Sequence, residues 1–146
     1  MRRVPHGVAV LTVDVDGERL GLTIDSLVSL SLEPPLVGVS ISRQAAMHEL
    51  LREAGAFALS LLSGGQAALA QHFARGVPPI GLWQGIEVHE SDGPPLLAGA
   101  LGWMRCRTAE AYPVGDHTFF VGDVVSVEAG DPAPPLVHVA SRYRSL

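Results

Sequence analysis

The chain has 146 residues, a formal net charge of −5 and a hydrophobic content of 47%. This length and apolar content predict one folded domain over residues 1–146 and exclude a disordered chain. The acidic balance and the lack of a basic cluster argue against nucleic-acid binding. No apolar run approaches the roughly 20 residues that span a bilayer, so we expect no membrane segment.

Cysteine and lysine usage narrows the chemistry further. The single cysteine, Cys106, cannot form an internal disulfide, which fits a reducing, cytoplasmic location. Its place in a strand-like run favours a buried structural thiol over a nucleophile. The first residues lead into an alternating strand, so we expect no signal peptide. All ten basic residues are arginine, which excludes lysine Schiff-base chemistry and leaves arginine to contact any phosphate.

The first third of the chain predicts three strands. Apolar and β-branched residues predict a strand over residues 7–15 and a second over 19–24, joined by a hairpin turn at Asp16-Gly17. A loop is predicted over residues 30–35, because the Pro34-Pro35 pair cannot extend a strand ladder. A third strand then covers residues 36–41.

The middle of the chain predicts two short helices around a strand. Residues 45–54 carry apolar side chains at helical spacing, and Gly55 ends this first helix. A strand is predicted over residues 57–62, a second helix over 66–73, and a Pro/Gly-rich loop over 76–85.

The last third predicts a long antiparallel ribbon. Strands over residues 99–108 and 118–128 form the ribbon, a turn covers residues 131–135, and the tail forms a last short strand. About six strands with short turns and two inserted helices predict a closed or nearly closed β-barrel.

Two segments carry the strongest signal for a binding site. Residues 21–37 and 115–124 each join an apolar strand to a small turn, hydroxyl-rich in the first and Gly-Asp-His in the second. Such turns expose backbone N–H groups and short hydroxyls, which suit a phosphate or the polar edge of a ring. Either segment taken alone also fits an ordinary structural turn.

Other common sites lack their motifs in this sequence. There is no G-x-G-x-x-G after a strand, no Walker A pattern and no G-x-S-x-G elbow. The six histidines are scattered and form no H-E-x-x-H motif, so we expect no metal site.

At these two segments the chain resembles the flavin reductase-like family, whose fold is the FMN-binding split β-barrel. That fold is mainly β, antiparallel and Greek-key-like, with short helices. Family members carry a pattern close to Thr-x-Ser-Ser-Phe-Thr-Ser-x-Ser-Leu-x-Pro-Pro, which residues 23–35 resemble. They also carry one close to Gly-Asp-His-x-x-Phe-Val-Gly-Glu-Val, which residues 115–124 resemble. Further similarity covers nearly the whole chain, at residues 5–12, 48–51, 57–62, 72–74 and 142–143.

The resemblance implies a flavin at a barrel edge. The turn over residues 23–29 would meet its phosphate and ribityl chain, and Arg43 would supply a cation for the phosphate. His6 and Gly7 would approach the ring, and His117 would lie near the nicotinamide. The candidate flavin-binding residues are His6, Gly7, Thr23, Asp25, Ser26, Leu27, Val28, Ser29, Ser40, Ser42, Arg43, His117, Arg142 and Tyr143.

The chain departs from the family pattern at three places, one of them a pair of residues. Asp25 stands where relatives have Ser or Asn, Leu27 replaces Phe, and Ala46-Met47 replaces a hydroxyl-bearing pair. A carboxylate beside a flavin phosphate is repulsive unless it caps a local N–H or pairs with arginine. We therefore expect modest flavin affinity, or a flavin held mainly through its ring.

The activity that the resemblance implies is NAD(P)H-dependent flavin reduction. The nicotinamide would pass a hydride to FMN, or to FAD, and the reduced flavin would supply a partner monooxygenase. The cofactors carry this chemistry, so no catalytic side chain is required. Two alternatives stay open: a flavin-binding electron carrier or redox sensor without turnover, and a barrel that binds another small ligand or serves as an interaction module.

The resemblance also implies a homodimer whose interface completes the flavin pocket. The ribbon strands over residues 103–108 and 119–127 are too apolar to face water on both sides, which favours a two-fold partner covering them.

Overall fold

The structure, a computed structural model, describes residues 1–75, 79–90 and 92–146, and these form mainly antiparallel strands with short helices. The strands are β1 His6–Gly7, β2 Ala9–Val15, β3 Glu18–Ile24, β4 Val28–Leu32, β5 Pro35–Ser42, β6 Ala56–Leu61, β7 Val88–Glu90, β8 Leu96–Leu97, β9 Gly102–Val114, β10 His117–Ala129, β11 Leu136–Val139 and β12 Arg142–Ser145. The helices are α1 Ala46–Ala54, α2 Ala67–Ala74 and α3 Pro79–Leu82. The predicted fold class is confirmed.

A seven-stranded sheet of order β3-β2-β6-β9-β10-β5-β4 forms the centre of the molecule. In the described residues its edge strands, β3 and β4, are not hydrogen-bonded to each other. Side chains from β3, such as Ile24, and from β5, such as Ile41, nevertheless enter the same core. The sheet therefore wraps around one core without closing its ladder, which is the nearly closed form of the predicted barrel.

The β2–β3 hairpin turns at Asp16 and Gly17, as the sequence predicts. Both residues have positive φ, 52° and 87°, the backbone that a tight two-residue hairpin turn needs. The Gly17 N–H donates to Asp14 Oδ1 at 2.8 Å, and Arg19 Nε lies 3.0 Å from Asp14 Oδ2. These bonds secure the hairpin, whose second strand leads directly into the turn that begins at Asp25.

Helix α1 covers the main core, and its predicted position is confirmed. Met47 and Leu51 are buried from this helix against Phe57 and Phe120 of the sheet core. Gly55 ends it in a left-handed conformation, with its N–H 3.4 Å from the Leu51 carbonyl. The second predicted helix is also confirmed, as α2.

No helix in the described ranges has the length and apolar character needed to cross a membrane.

The loop predicted over residues 30–35 is wrong, because most of it belongs to a hairpin. Val28 of β4 pairs with Gly38 of β5, and Leu32 pairs with Pro35. A proline is tolerated there because it is the first residue of its strand and lies at the hairpin end. Strand β4 thereby becomes an edge of the main sheet.

The predicted count of about six strands is too low, since twelve occur in the described residues. The tail forms two strands, β11 and β12, and β11 also pairs with β1 to make a three-stranded sheet. Part of the loop predicted over residues 76–85 is helix α3, whereas residues 76–78 lie outside the described ones. Apart from β4, the extra strands have two to four residues each, which is too short for a clear alternating pattern.

The long β9–β10 ribbon is confirmed. The argument that its strand over residues 103–108 needs a partner chain to cover its apolar side chains is corrected. Trp103 and Cys106 are only 6% and 3% exposed, because they already pack inside this chain. The segment over residues 119–127 does carry exposed apolar side chains, with Val125 at 63% and Val127 at 70%.

Candidate functional site

A cavity of about 380 Å³ lies between the N-terminal segment, the turn after β3 and the end of β11. Its polar lining includes Arg2, His6, Asp25, Ser26 and His138. A second cavity of about 160 Å³ adjoins it and includes Thr23 and Tyr143 in its lining. Asp25 and His138 line both cavities, so they form the boundary between the two.

Strand pairing brings these distant residues together. In the three-stranded sheet His6 of β1 is the register partner of His138 of β11, and His138 is the partner of Tyr143 of β12. The rings of His138 and Tyr143 lie 5.2 Å apart. The predicted residues His6, Asp25 and Tyr143 are thus neighbours around His138.

Asp25 forms an ion pair with His138, with 3.0 Å between Oδ2 and Nδ1. A carboxylate accepts only, so His138 Nδ1 is the donor. From the sequence, Asp25 was expected to cap a backbone N–H or to pair with an arginine if it lay beside a flavin phosphate. In the structure its partner is a histidine. Burial, and secondarily the charge of Asp25, raise the pKa of Tyr143. The field of Asp25 therefore reaches into the smaller cavity.

Two hydroxyls of the first motif hold the framework. Ser26 Oγ accepts from the Ser40 N–H at 3.0 Å and donates to the Ser40 carbonyl at 3.1 Å, which fastens the turn to β5. Thr23 Oγ1 donates to the Ala70 carbonyl at 2.6 Å and fastens β3 to α2. Both residues still line the cavities, but their hydroxyl protons are committed to the protein.

Gly7 and Leu27 lie on the other side of the turn, at an apolar cavity of about 200 Å³. A Cβ added to Gly7 would meet nothing within 4 Å, so this backbone faces open space. Leu27 is half-buried and packs against the main core. Its aliphatic side chain thus has a packing role at the position where family members carry Phe.

Ser42, Arg43 and His117 form a second group where β5 ends and β10 begins. His117 is the register partner of Ser42, and the Arg43 N–H donates to the Asp116 carbonyl at 3.0 Å. His117 Nδ1 lies 2.6 Å from Asp116 Oδ1. That hydrogen bond, followed by the charge of His117, lowers the pKa of Asp116, with a smaller contribution from Arg43.

Strand β5 connects the two groups. Ser40, bonded to Ser26, and Ser42, paired with His117, are two residues apart and so lie on the same face of the strand. The remaining predicted residues, Val28, Ser29 and Arg142, are exposed and are not among the residues that line these three cavities.

Sequence reasoning missed His138 and assigned no role to His48. His48 is 6% exposed and places Nε2 2.7 Å from Thr118 Oγ1, beside His117 in the chain. Its Nδ1 lies 3.1 Å from Glu49 Oε1. No local motif marks either histidine as functional. His138 meets its partners through the pairing of strands, and His48 of α1 meets Thr118 of β10 across 70 positions of sequence.

The side chains around these cavities can bind and orient a ligand. Cys106 is buried, and burial, with a smaller contribution from Asp123, raises the pKa of its thiol to about 12, which excludes a thiolate nucleophile at neutral pH. Across residues 1–75, 79–90 and 92–146, no three His, Cys, Asp or Glu side chains are grouped to hold a metal ion. Imidazoles, the carboxylates of Asp25 and Asp116, serine hydroxyls and the guanidinium groups of Arg2 and Arg43 surround the cavities and the adjoining edge.

Comparison with known proteins gives whole-length matches. The family model of the flavin reductase like domain matches residues 1–146. The reductase component of 4-hydroxyphenylacetate 3-monooxygenase from Thermus thermophilus is 42% identical over 146 residues, which is 100% of this chain and 92% of that protein. An NADH:FMN oxidoreductase from Rhodococcus erythropolis is 36% identical over 99% of this chain and 78% of that protein.

Solved structures share the fold. The NADH:FAD oxidoreductase of Streptomyces globisporus, in complex with NAD and FAD fragments, superposes with a TM-score of 0.92. It is 33% identical, and the match covers 99% of this chain and 87% of that one. The agreement of family model, relatives and fold over the full length shows that the chain belongs to the flavin reductase-like family.

Proposed function

We propose that the protein is an NAD(P)H-dependent flavin reductase that transfers hydride from the nicotinamide to FMN, with FAD as a second acceptor. The observation that carries this is the match of the family model over residues 1–146. Relatives similar along the whole chain are named as NADH-dependent reductases of FMN or FAD. We propose that residues 1–146 form a single domain.

The residues around the two polar cavities suit a flavin ring. An isoalloxazine has an apolar benzenoid end and a polar end with donors and acceptors. His6, Asp25 and His138 offer matching polar groups, and the apolar cavity at Gly7, which follows His6 in the chain, suits the benzenoid end. The donor set thus fits the cofactor that the family uses.

Arg43 and the serines of β5 suit the flavin phosphate. Arg43 is exposed beside the Asp116–His117 turn, and Ser42 lies next to it. An arginine fork pairs with phosphate oxygens in a bidentate manner, which the other side chains of this group cannot do. Ser26 contributes less, because its hydroxyl proton is used by Ser40.

The protein's contribution to the reaction is positioning. The flavin supplies the redox chemistry when it is bound. His117, partly exposed and oriented by Asp116, is proposed to contact the nicotinamide. Holding two reactants in alignment lowers the barrier by several kcal/mol without a covalent intermediate on any side chain.

We also propose that the protein is a cytoplasmic homodimer that supplies reduced flavin to a monooxygenase. A relative with 42% identity is named as a monooxygenase reductase component. The edge strand β4 exposes Leu32 at 89%, and the ribbon exposes Val125 and Val127. Exposed apolar rows along a sheet edge and a ribbon favour cover by a second copy.

Flavin titration tests the binding half of this proposal. Adding the wild-type protein to riboflavin, FMN and FAD is expected to quench their fluorescence in a saturable manner. Unchanged fluorescence and absorbance for all three flavins, even at about millimolar protein, would refute the proposed function. Saturable binding without NAD(P)H oxidation would instead favour the electron-carrier or redox-sensor alternative.

A further inference from the structure

The ion pair between Asp25 and His138 lies at the boundary between the two polar cavities. These two residues line both the cavity of about 380 Å³ and the cavity of about 160 Å³. Among the side chains that line these two cavities, Asp25 is the carboxylate, and the other charged or titratable side chains are Arg2, His6, His138 and Tyr143. A ligand in either cavity therefore meets the charge of Asp25.

Both partners of this pair are held by the fold. His138 lies in the middle strand of its sheet, between His6 of β1 and Tyr143 of β12. Asp25 precedes Ser26, whose two hydrogen bonds to Ser40 anchor the turn. The pair spans 113 positions of sequence and is only partly exposed, with side-chain accessibilities of 47% for Asp25 and 35% for His138. The pair therefore joins two segments that hydrogen bonds hold in position.

We propose that His138 is a specificity-determining residue of the flavin pocket, which screens the carboxylate of Asp25 and so allows a phosphorylated flavin to bind. This inference rests on the proposed function. It goes beyond that function by assigning a role to a residue that no sequence motif marks.

The physical reason is the charge that a flavin carries. FMN has an anionic phosphate, whereas riboflavin has the same ring and no phosphate. With His138 present, its Nδ1–H is directed at Asp25 Oδ2 and offsets the negative field of the carboxylate. Without His138 the negative field of the carboxylate is offset less, and it disfavours FMN, whose phosphate is anionic, more than the neutral riboflavin.

A double-mutant cycle with two ligands tests this proposal. Dissociation constants for FMN and riboflavin are measured by fluorescence at one fixed pH for wild type, His138→Ala, Asp25→Asn and the double variant. His138→Ala is expected to weaken FMN about fivefold more than it weakens riboflavin. Adding Asp25→Asn to His138→Ala is expected to restore the wild-type ratio of the two constants.

Controls separate this effect from folding and from surface charge. His89→Ala removes a similar ion pair, with His89 Nε2 2.9 Å from Glu128 Oε1, away from both cavities, and is expected to leave the FMN-to-riboflavin ratio unchanged. His138→Phe keeps an aromatic ring beside Tyr143 and replaces His138→Ala if that variant does not fold. Circular dichroism reports the folding of each variant.

The outcomes are distinguishable. Equal weakening of FMN and riboflavin by His138→Ala or His138→Phe, or no rescue by Asp25→Asn, overturns the inference and leaves the flavin reductase proposal standing. A wild-type protein that binds neither flavin overturns both.

Discussion

His117 is the partly exposed histidine of the second group. Its side chain is 43% exposed, and its Nδ1 is oriented by Asp116 at 2.6 Å. We predict that His117→Ala raises the KM for NAD(P)H several-fold and leaves the flavin dissociation constant within about twofold of wild type. Steady-state kinetics and a flavin titration measure the two effects. His89→Ala is the matched control, and a His117→Ala variant that loses its fold would show a structural role instead.

Asp116 provides a check on the geometry of the same turn. Its pKa is lowered mainly by the hydrogen bond with His117, so its carboxylate persists to lower pH than an ordinary aspartate. The Asp116–His117 contact is therefore present above this lowered pKa and lost as the pH falls through it. Carboxyl NMR titration is expected to show the pKa of Asp116 rising toward its usual value in His117→Ala. An Asp116 pKa that His117→Ala leaves unchanged would contradict the contact.

How far the sequence predicts the site is clearest at single residues. His6, Asp25 and Tyr143 were predicted from resemblance, and they meet around one ion pair. His138 was not predicted, because its contact with Asp25 joins residues 113 positions apart through a sheet that local patterns do not reveal. The contact of Asp25 with an imidazole rather than an arginine depends on the same sheet.

Packing explains the second glycine of the second sequence motif, Gly122 of β10. Gly122 pairs across the sheet with Val37 and Thr108, and a Cβ added there would lie 2.6 Å from Phe57 Cζ and 3.1 Å from Cys106 Cβ. Phe57 is 1% exposed, so its ring is enclosed by the close-packed core. The motif glycine thus serves the core rather than a ligand.

Gly122→Ala is therefore predicted to destabilise the protein by about 1–3 kcal/mol, as overpacking of a core does. Chemical denaturation measures the free energy of unfolding. Gly65→Ala is the matched control, because a Cβ there meets nothing within 4 Å, and it is expected to change stability far less. Equal unfolding free energies for the two variants would contradict the tight contact with Phe57.

At the scale of elements, long strands and helices were predictable and short strands were not. The β2–β3 hairpin, α1, α2 and the β9–β10 ribbon follow from alternation, turn residues and helix ends. Strands β1, β11 and β12 have two to four residues each. Their pairing, which builds one wall of the polar cavities, depends on contacts between the two ends of the chain.

The whole molecule is predicted to be a homodimer. Light scattering at micromolar concentration is expected to report the mass of two chains, and reductase activity per chain is expected to fall on dilution into the monomer range. Val127→Glu places a charge on the exposed ribbon face and is expected to weaken the dimer. Ile80→Glu, at a 95% exposed position of α3, is the control and is expected to leave the mass unchanged. A monomer with full activity would refute the shared site.

Flavin-dependent oxidation of NAD(P)H tests the central claim most directly. The wild-type protein is mixed with NADH or NADPH and with riboflavin, FMN or FAD, and the loss of nicotinamide absorbance is followed. A rate that is proportional to protein and rises to saturation with added FMN is the predicted result. A rate that stays at the protein-free background with every flavin and both nicotinamides would contradict the assignment as a flavin reductase.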